Sequence, residues 1–295
     1  MSNKAGFVGL IGRPNAGKST LLNTILKEKI AIVTDKPQTT RNVIRGIYND
    51  EQAQIVFFDT PGLHMPKDAL SRQMVQLATT TIPDVDVVYF LVDANKSILA
   101  EDKRVLDLIT KNKKPTFLIV NKIDQCSKKE LLEKLTEWSA IFPFDEIIPI
   151  SALNNDNVDR LLSITKTYLE DQPMFYPPEM IMDMSERFVI SEMIREKILM
   201  LTHHEIPHSV AVMVEQLENL ENKMIIDATI IVERDSQKGI IIGKGGSMKS
   251  TIIKLVSIDL RKFFQKKIDC KLFVKVEPNW RNKITKLHEI GYQKT

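Results

Sequence analysis

The chain has 295 residues, 43 % of them hydrophobic and 27 % charged, with a formal net charge of +3. That is long enough for two domains of ordinary globular composition, and it excludes a disordered or fibrous polypeptide. The two cysteines, Cys126 and Cys270, lack CxxC spacing, which argues against a zinc site or a disulfide framework and favours a reducing, cytoplasmic setting.

The first residues, Met1 to Ala5, lack the apolar stretch of a secretory leader. Residues 7–11 predict a short buried strand. Residues 20–26 carry Leu21, Leu22, Ile25 and Leu26 at helical spacing. Between these elements, Gly12, Arg13, Pro14, Asn15, Ala16, Gly17, Lys18 and Ser19 fit the phosphate-loop pattern G-x-x-x-x-G-K-[ST]. In such a loop the glycines let successive N–H groups face phosphates at a helix N-terminus. Lys18 is expected to reach the β and γ phosphates and Ser19 to ligate Mg2+, with Thr20 beside them. Asn15 is a candidate to help hold a monovalent cation, K+, next to the phosphates.

Residues 35–41 form a polar segment in which a threonine hydroxyl can complete the Mg2+ shell of a bound triphosphate. Thr40 is favoured over Thr39. A strand over 53–58 then runs into Asp59, Thr60, Pro61 and Gly62. A carboxylate at a strand end can hold Mg2+ through water, and the Gly62 N–H can contact a γ-phosphate and swing when it leaves. Leu63 follows, where Ras-type enzymes carry a glutamine that orients the attacking water. A leucine cannot orient water, so slow intrinsic hydrolysis is expected. Lys18, Thr40 and Gly62 are therefore the candidate catalytic residues, and Ser19, Thr40 and Asp59 the candidate Mg2+ ligands.

The most apolar run, 85–92, contains Asp86 and is too short to span a bilayer, so it predicts a central strand. A strand over 116–120 ends in Asn121, Lys122, Ile123 and Asp124. A carboxylate can accept both the N1–H and the 2-amino group of guanine, a donor pair that adenine lacks, so Asp124 should select GTP. Asn121 braces this loop and the Lys122 stem lies along the ring. After a strand over 147–150, Ser151, Ala152 and Leu153 should bring the Ala152 N–H to the guanine O6.

A helix over 158–169 meets three prolines within six residues, Pro173, Pro177 and Pro178, which cannot continue it. The expected organisation is an α/β P-loop GTPase domain over 1–170, with a mostly parallel sheet flanked by helices. A linker over 171–180 and an α+β domain over 181–295 follow. Charge changes along the chain as well. From Lys244 onward, thirteen Lys and Arg face four Asp and Glu, a balance of +9 against −6 for the rest. Such a basic end suggests a polyanionic partner.

The second half reads as a helix (186–202), strands (209–217 and 224–233), a glycine-rich stretch leading into a long helix to about 264, a strand (270–277) and a last helix (279–290). An order α-β-β-α-α-β with G-x-x-G between two helices is that of a type II KH domain, whose loop clamps single-stranded RNA backbone. Gly243, Lys244, Gly245, Gly246 and Lys249 are the candidate RNA-binding residues, backed by Lys254, Arg261 and Lys262. His203, His204 and His208 stand at a helix end without a second ligand group and are read as a solvated rim.

Over nearly its whole length the chain resembles the Era family of bacterial ribosome-assembly GTPases. The resemblance rests on residues 12–19, 38–41, 59–64 and 121–124, and on the stretch 232–246. It implies binding of GTP and GDP with Mg2+, of the 3′ end of 16S ribosomal RNA and of the 30S subunit. It also implies a checkpoint role in maturation of that subunit and peripheral contact with the inner membrane; a monomer is expected. Leu63 keeps a second reading open, a GTP-regulated RNA-binding module that rarely turns over. A membrane-associated scaffold is a distant third, since it would not need Asp124.

Overall fold

A strand sandwiched between helices must be apolar on both faces, and this requirement shapes the first half of the chain. The computed structural model describes residues 3–292; Met1, Ser2 and the last three residues, which the expected leader reading and domain ends touch, lie outside them. The chain divides into two compact units. One takes the chain up to Val33, then Thr40–Lys67 and Ser71–Asp183; the other takes Thr34–Thr39, Asp68–Leu70 and the chain from Met184.

In the first unit the elements are β1 (Lys4–Gly12), α1 (Lys18–Leu26), β2 (Ile44–Asn49), β3 (Ala53–Asp59), α2 (Ala69–Thr81), β4 (Val87–Asp93), α3 (Ala100–Asn112), β5 (Thr116–Asn121), α4 (Lys128–Ser139), β6 (Glu146–Pro149), α5 (Val158–Thr167) and β7 (Glu170–Asp171). The sheet order is β2-β3-β1-β4-β5-β6, with β7 paired to the start of β1. All pairings are parallel except those of β2 and β7. In β4 every residue from Val87 to Val92 is at most 3 % exposed, as a strand covered on both faces requires. Residues of β2 and of helices α2 to α4 gave no clear signal in the sequence. The β2 strand forms only because β3 offers it an antiparallel edge.

Residues 171–180, expected as a linker, are bound along this unit. The Gln54 side chain acts as a bracket: its Oε1 accepts the N–H groups of Phe175 (2.7 Å) and Tyr176 (3.0 Å), and its Nε2 donates to Tyr176 O (2.9 Å). Phe175 stacks on Phe7 with ring centroids 4.4 Å apart. Ile47 N–H donates to Ile181 O at 2.9 Å, and Arg45 pairs with Asp183 at 3.0 Å. Prolines prevent a helix here, while the neighbouring N–H groups still serve an edge that would otherwise be open.

The second unit contains α6 (Glu186–Leu201), α7 (Ile206–Ser209), β8 (Ala211–Asn219), β9 (Lys223–Val232), α8 (Asp235–Ile242), α9 (Ser247–Phe264), β10 (Lys267–Val276) and α10 (Ile284–Ile290). Its sheet has the order β10-β9-β8, with β9 antiparallel to β8 and parallel to β10. Alternate residues of β9, from Met224 through Ile226, Ala228 and Ile230 to Val232, are wholly buried. On α9, which packs against α6 and β10, the stripe of Ile252, Val256 and Leu260 is also wholly buried and spaced by one helical turn. The expected last helix from 279 starts later, at Ile284. Asn279 takes a left-handed φ of 56°, and the Trp280 indole turns inward to donate to Ser209 O at 2.9 Å.

The stretch over 232–239 owes its local order to Gln237. Its Oε1 accepts from the Glu233 and Arg234 N–H groups at 2.9 and 3.1 Å, and its Nε2 donates to Ser209 Oγ at 2.9 Å. This side chain is what turns β9 into α8.

Candidate nucleotide and RNA sites

The four nucleotide blocks lie at the C-terminal ends of parallel strands, where open α/β sheets bind ligands. The phosphate loop leaves β1 at Gly12 and enters α1 through Gly17, which sits at a left-handed φ of 98°. A side chain at Gly17 would place its Cβ 2.1 Å from Asn121 Nδ2, so only glycine lets the loop pass beneath the base-reading segment. The Lys18 Nζ folds back on this loop and donates to Gly12 O (3.2 Å) and Arg13 O (3.0 Å). Burial pulls the Lys18 ammonium down to about 8, and the Asp59 carboxylate acts against that fall.

Three oxygens from distant stretches of chain converge here. Ser19 Oγ donates to Asp59 Oδ2 at 2.5 Å and lies 2.9 Å from Thr40 Oγ1. Burial pushes the Asp59 carboxyl up to about 6, opposed by the charge of Lys18 and by hydrogen bonds from Ser19 and Thr40. The second carboxylate oxygen, Oδ1, is buried with no hydrogen-bond partner. An orphaned buried carboxylate oxygen next to two hydroxyls is a donor set suited to a hard divalent cation. The two threonines differ. The Thr40 hydroxyl faces Ser19, whereas Thr39 Oγ1 donates to Lys36 O at 2.6 Å and lies 2.7 Å from Thr34 Oγ1.

At the base-reading end, Asn121 Nδ2 donates to Ala16 O at 2.9 Å and ties β5 to the phosphate loop. Ser151 Oγ donates to Asp124 Oδ1 at 2.5 Å, and Asp124 is exposed. Thr24 Oγ1 donates to Ala152 O at 2.7 Å, which joins α1 to the same loop. The Ala152 N–H, expected to face the base, instead donates to Asn121 Oδ1 at 2.9 Å in this conformation, because that acceptor lies within reach of the loop. Leu153 is 73 % exposed.

Several expected contacts take other partners. The Arg13 side chain turns away from the loop to pair with Asp102 at 3.0 Å and to donate to Ser97 O at 3.0 Å, so this residue offers a ligand only its backbone. Thr60 is buried and its hydroxyl donates to Leu10 O at 2.7 Å. Leu63 is 5 % exposed and packs in the core cluster with Val92 and Phe90, while its N–H donates to Gly12 O at 3.1 Å. The position of the missing glutamine is thus built into the core. Leu63→Gln should not accelerate single-turnover hydrolysis, and it should lower unfolding stability by about 2–4 kcal/mol, since a buried amide replaces packed methyls. A faster variant of unchanged stability would show that this side chain can reach the nucleotide.

Asp93, at the end of β4, was not singled out in the sequence. It accepts from Lys122 Nζ at 2.7 Å. Burial works against its ionisation, but hydrogen bonds from Lys122 and Asn95 hold the carboxyl below its usual range. Its place directly after the apolar run 85–92 was the one available signal.

In the second unit, α8 ends at Gly243, whose φ is 74°; a Cβ there would meet Met248 N at 2.7 Å. Lys244 and Gly245 stand exposed at the tip, and Cβ atoms added at Gly245 or Gly246 would meet nothing within 4 Å. The tip caps the N-terminus of the eighteen-residue α9, whose first turns carry Lys249 and, further on, exposed Lys254, so unpaired N–H groups and positive charge share one approach.

Comparison with known families agrees with both units. Residues 7–122 match the 50S ribosome-binding GTPase family and residues 205–281 the KH domain family. A crystal structure of an Aquifex aeolicus Era variant bound to GDP and AlF4− superposes with a TM-score of 0.96 at 36 % identity, covering 99 % of this chain and 100 % of that one. A structure of Era with MgGDPNP and nucleotides 1506–1542 of 16S ribosomal RNA matches with the same score, identity and coverage.

Proposed function

Since this chain belongs to the Era family of GTPases, we propose that it couples a GTP hydrolysis cycle to binding of the 3′ end of 16S ribosomal RNA during assembly of the 30S subunit. The observation that carries this reading is the meeting of Ser19, Thr40 and the orphaned Asp59 oxygen beside Lys18, in a chain that also bears a G-x-x-G loop on a KH fold.

The protein binds and hydrolyses GTP. In the proposed mechanism the phosphate loop and Lys18 hold the β and γ phosphates, and Lys18 exchanges its two loop carbonyls for phosphate oxygens. Ser19, Thr40 and Asp59 would hold Mg2+, which when bound neutralises charge on the β and γ oxygens. Gly62 lies against the loop, its Cβ position 2.5 Å from Pro14 N, and follows the γ-phosphate with its N–H. Asp124, held by Ser151, accepts the two guanine donors, and Lys122, held by Asp93, lies along the ring. Asn15, exposed at a left-handed φ of 63°, remains the candidate for K+. Gly243 to Gly246 and Lys249 take the RNA backbone.

We place the protein in the cytoplasm as a monomer with a peripheral membrane fraction; the basic C-terminal charge supports the membrane contact. No helix among the described residues is long and apolar enough to cross a membrane. The direct test is single-turnover GTP hydrolysis by the full chain with and without RNA of the 16S 3′ end. Bound RNA should raise the rate by on the order of tenfold, a barrier lowered by about 1.4 kcal/mol. RNA that neither binds nor changes the rate would overturn the ribosomal assignment.

A further inference from the structure

The phosphate loop and the base-reading segment are both fastened to one stretch of chain, residues 93–99, where β4 ends and α3 begins. At its start, Asp93 accepts from Lys122 Nζ, and the Ala94 N–H donates to Asn121 O at 2.9 Å. Towards its end, the Ser97 carbonyl accepts from Arg13 Nη2 at 3.0 Å, and Arg13 Nε lies 3.0 Å from Asp102 Oδ1 in the first turn of α3. All of these residues belong to the first unit.

The Asp102 side chain is 1 % exposed, and both of its oxygens are committed. Oδ1 faces Arg13, and Oδ2 accepts the Leu99 N–H at 2.8 Å, which caps α3. Burial pushes this carboxyl up, and the Leu99 N–H and the Arg13 charge act against that rise. A buried carboxylate paired with a guanidinium is weak evidence for stability, because apolar residues of similar size commonly serve as well. The helix has its cap from Asp102 without Arg13. What the guanidinium holds in addition is its own backbone. The Arg13 carbonyl accepts from Lys18 Nζ at 3.0 Å and from the Ala16 N–H at 3.4 Å, so it sets both the resting place of Lys18 and the curl of the loop. The preceding Gly12 is seated against β4, where an added Cβ would lie 2.3 Å from Leu91 O. Gly12 and Arg13 therefore form the anchor from which the rest of the loop curls.

We infer that Arg13, through Asp102 and Ser97, is a positioning residue for the phosphate loop: it presets the loop for the nucleotide phosphates and ties occupancy of the loop to the N-terminus of α3. The inference rests on residues 12–19 being the phosphate-binding loop, as proposed above. Preorganising a loop that cradles the phosphates of GDP and GTP strengthens binding of both alike. Coupling is reciprocal, so bound nucleotide should in turn steady the first turn of α3.

Arg13→Met and Asp102→Asn in the full chain, alone and together, test this. Methionine keeps much of the arginine stem and removes the guanidinium. The asparagine carbonyl can still accept the Leu99 N–H, but its amide presents N–H groups to Arg13. Each variant should weaken GDP and a non-hydrolysable GTP analogue by the same factor, about tenfold, the size of one charge-assisted hydrogen bond. The double variant should lose no more than either single one, because the two side chains act as one unit. Hydrogen exchange supplies a readout that a merely structural role would not move. GDP should slow exchange of the Leu99, Asp102 and Lys103 amides in the wild type and not in Arg13→Met, while the amides of residues 121–124 respond in both. Unchanged affinities, losses that multiply in the double variant, a loss confined to the triphosphate, or an undiminished exchange response in Arg13→Met would each overturn the positioning role. If Arg13→Met fails to fold, Arg13→Lys keeps a charge beside Asp102 without the fork that also reaches Ser97, and the same criteria apply to it. Lys18→Ala separates the two levels. Lost GDP binding in Lys18→Ala with none lost in Arg13→Met removes the positioning role alone, whereas unchanged GDP binding in Lys18→Ala removes the phosphate-loop assignment and this inference with it.

Discussion

Asp124→Asn should lower GTP affinity by about three orders of magnitude and bring xanthosine triphosphate into the site, the range expected where a pocket is built around a specific donor pair. The geometry makes the exchange clean. Ser151 Oγ donates to one Asp124 oxygen at 2.5 Å, and an asparagine carbonyl can keep that bond. Its amide nitrogen then occupies the outward position, where it presents N–H groups to the guanine N1–H and 2-amino group. Two sets of donors face each other and none is satisfied. Xanthine carries an oxygen at that position and restores a match. Because Asp124 is exposed and outside the core, the variant should unfold at the wild-type temperature. Competition of both triphosphates for a fluorescent nucleotide would measure the change; equal GTP affinity in variant and wild type would remove Asp124 from base reading.

The second large effect is expected at the other end of the molecule. Replacing both Lys244 and Gly245 by Asp should weaken binding of single-stranded RNA by about a hundredfold or more, since one phosphate contact is lost and two negative charges face the backbone. The slope of log affinity against log salt should become shallower by about one unit for the lost lysine contact. The fold should tolerate the change. Lys244 is exposed, a Cβ at Gly245 meets nothing within 4 Å, and aspartate is among the residues that accept its φ of 60°. Intrinsic GTP hydrolysis should stay near wild type while its stimulation by RNA disappears. Stimulation that persisted without KH binding would mean that RNA acts on the GTPase unit directly, and full RNA affinity would sink the G-x-x-G assignment.

Local sequence determined much of this protein. A phosphate loop is legible in a sequence because its residues are adjacent in the chain: Gly12, Gly17, Lys18 and Ser19 lie on one strand-turn-helix, as their spacing requires. The same holds for Asn121 to Asp124 at the end of β5 and for the tip Gly243 to Gly246 between α8 and α9. Periodicity of two and of 3.6 residues marked the buried strands and the amphipathic helices, since each signal comes from one element facing its own core. The order of the elements was enough to propose both folds.

What the sequence could not supply is pairing between residues far apart in the chain. Leu63 was legible as the absence of a glutamine, but not as a core residue packed with Phe90 and Val92. Arg13 reads as part of the phosphate loop, yet its guanidinium belongs to Asp102, eighty-nine positions on, because a buried carboxylate on α3 competes more strongly than solvent. The choice of Thr40 over Thr39 as the hydroxyl facing Ser19 depends on how one short turn is tied, and the Thr39 hydroxyl is tied to Lys36 and Thr34. The proline-rich stretch after residue 170 reads as a linker because prolines only forbid helix; that it is held along the sheet follows from the Gln54 bracket on β3, 121 residues from Phe175. Backbone conformation is dictated locally, so the chain announces it. Which side chain satisfies which buried charge is settled only when tertiary packing brings the competitors together.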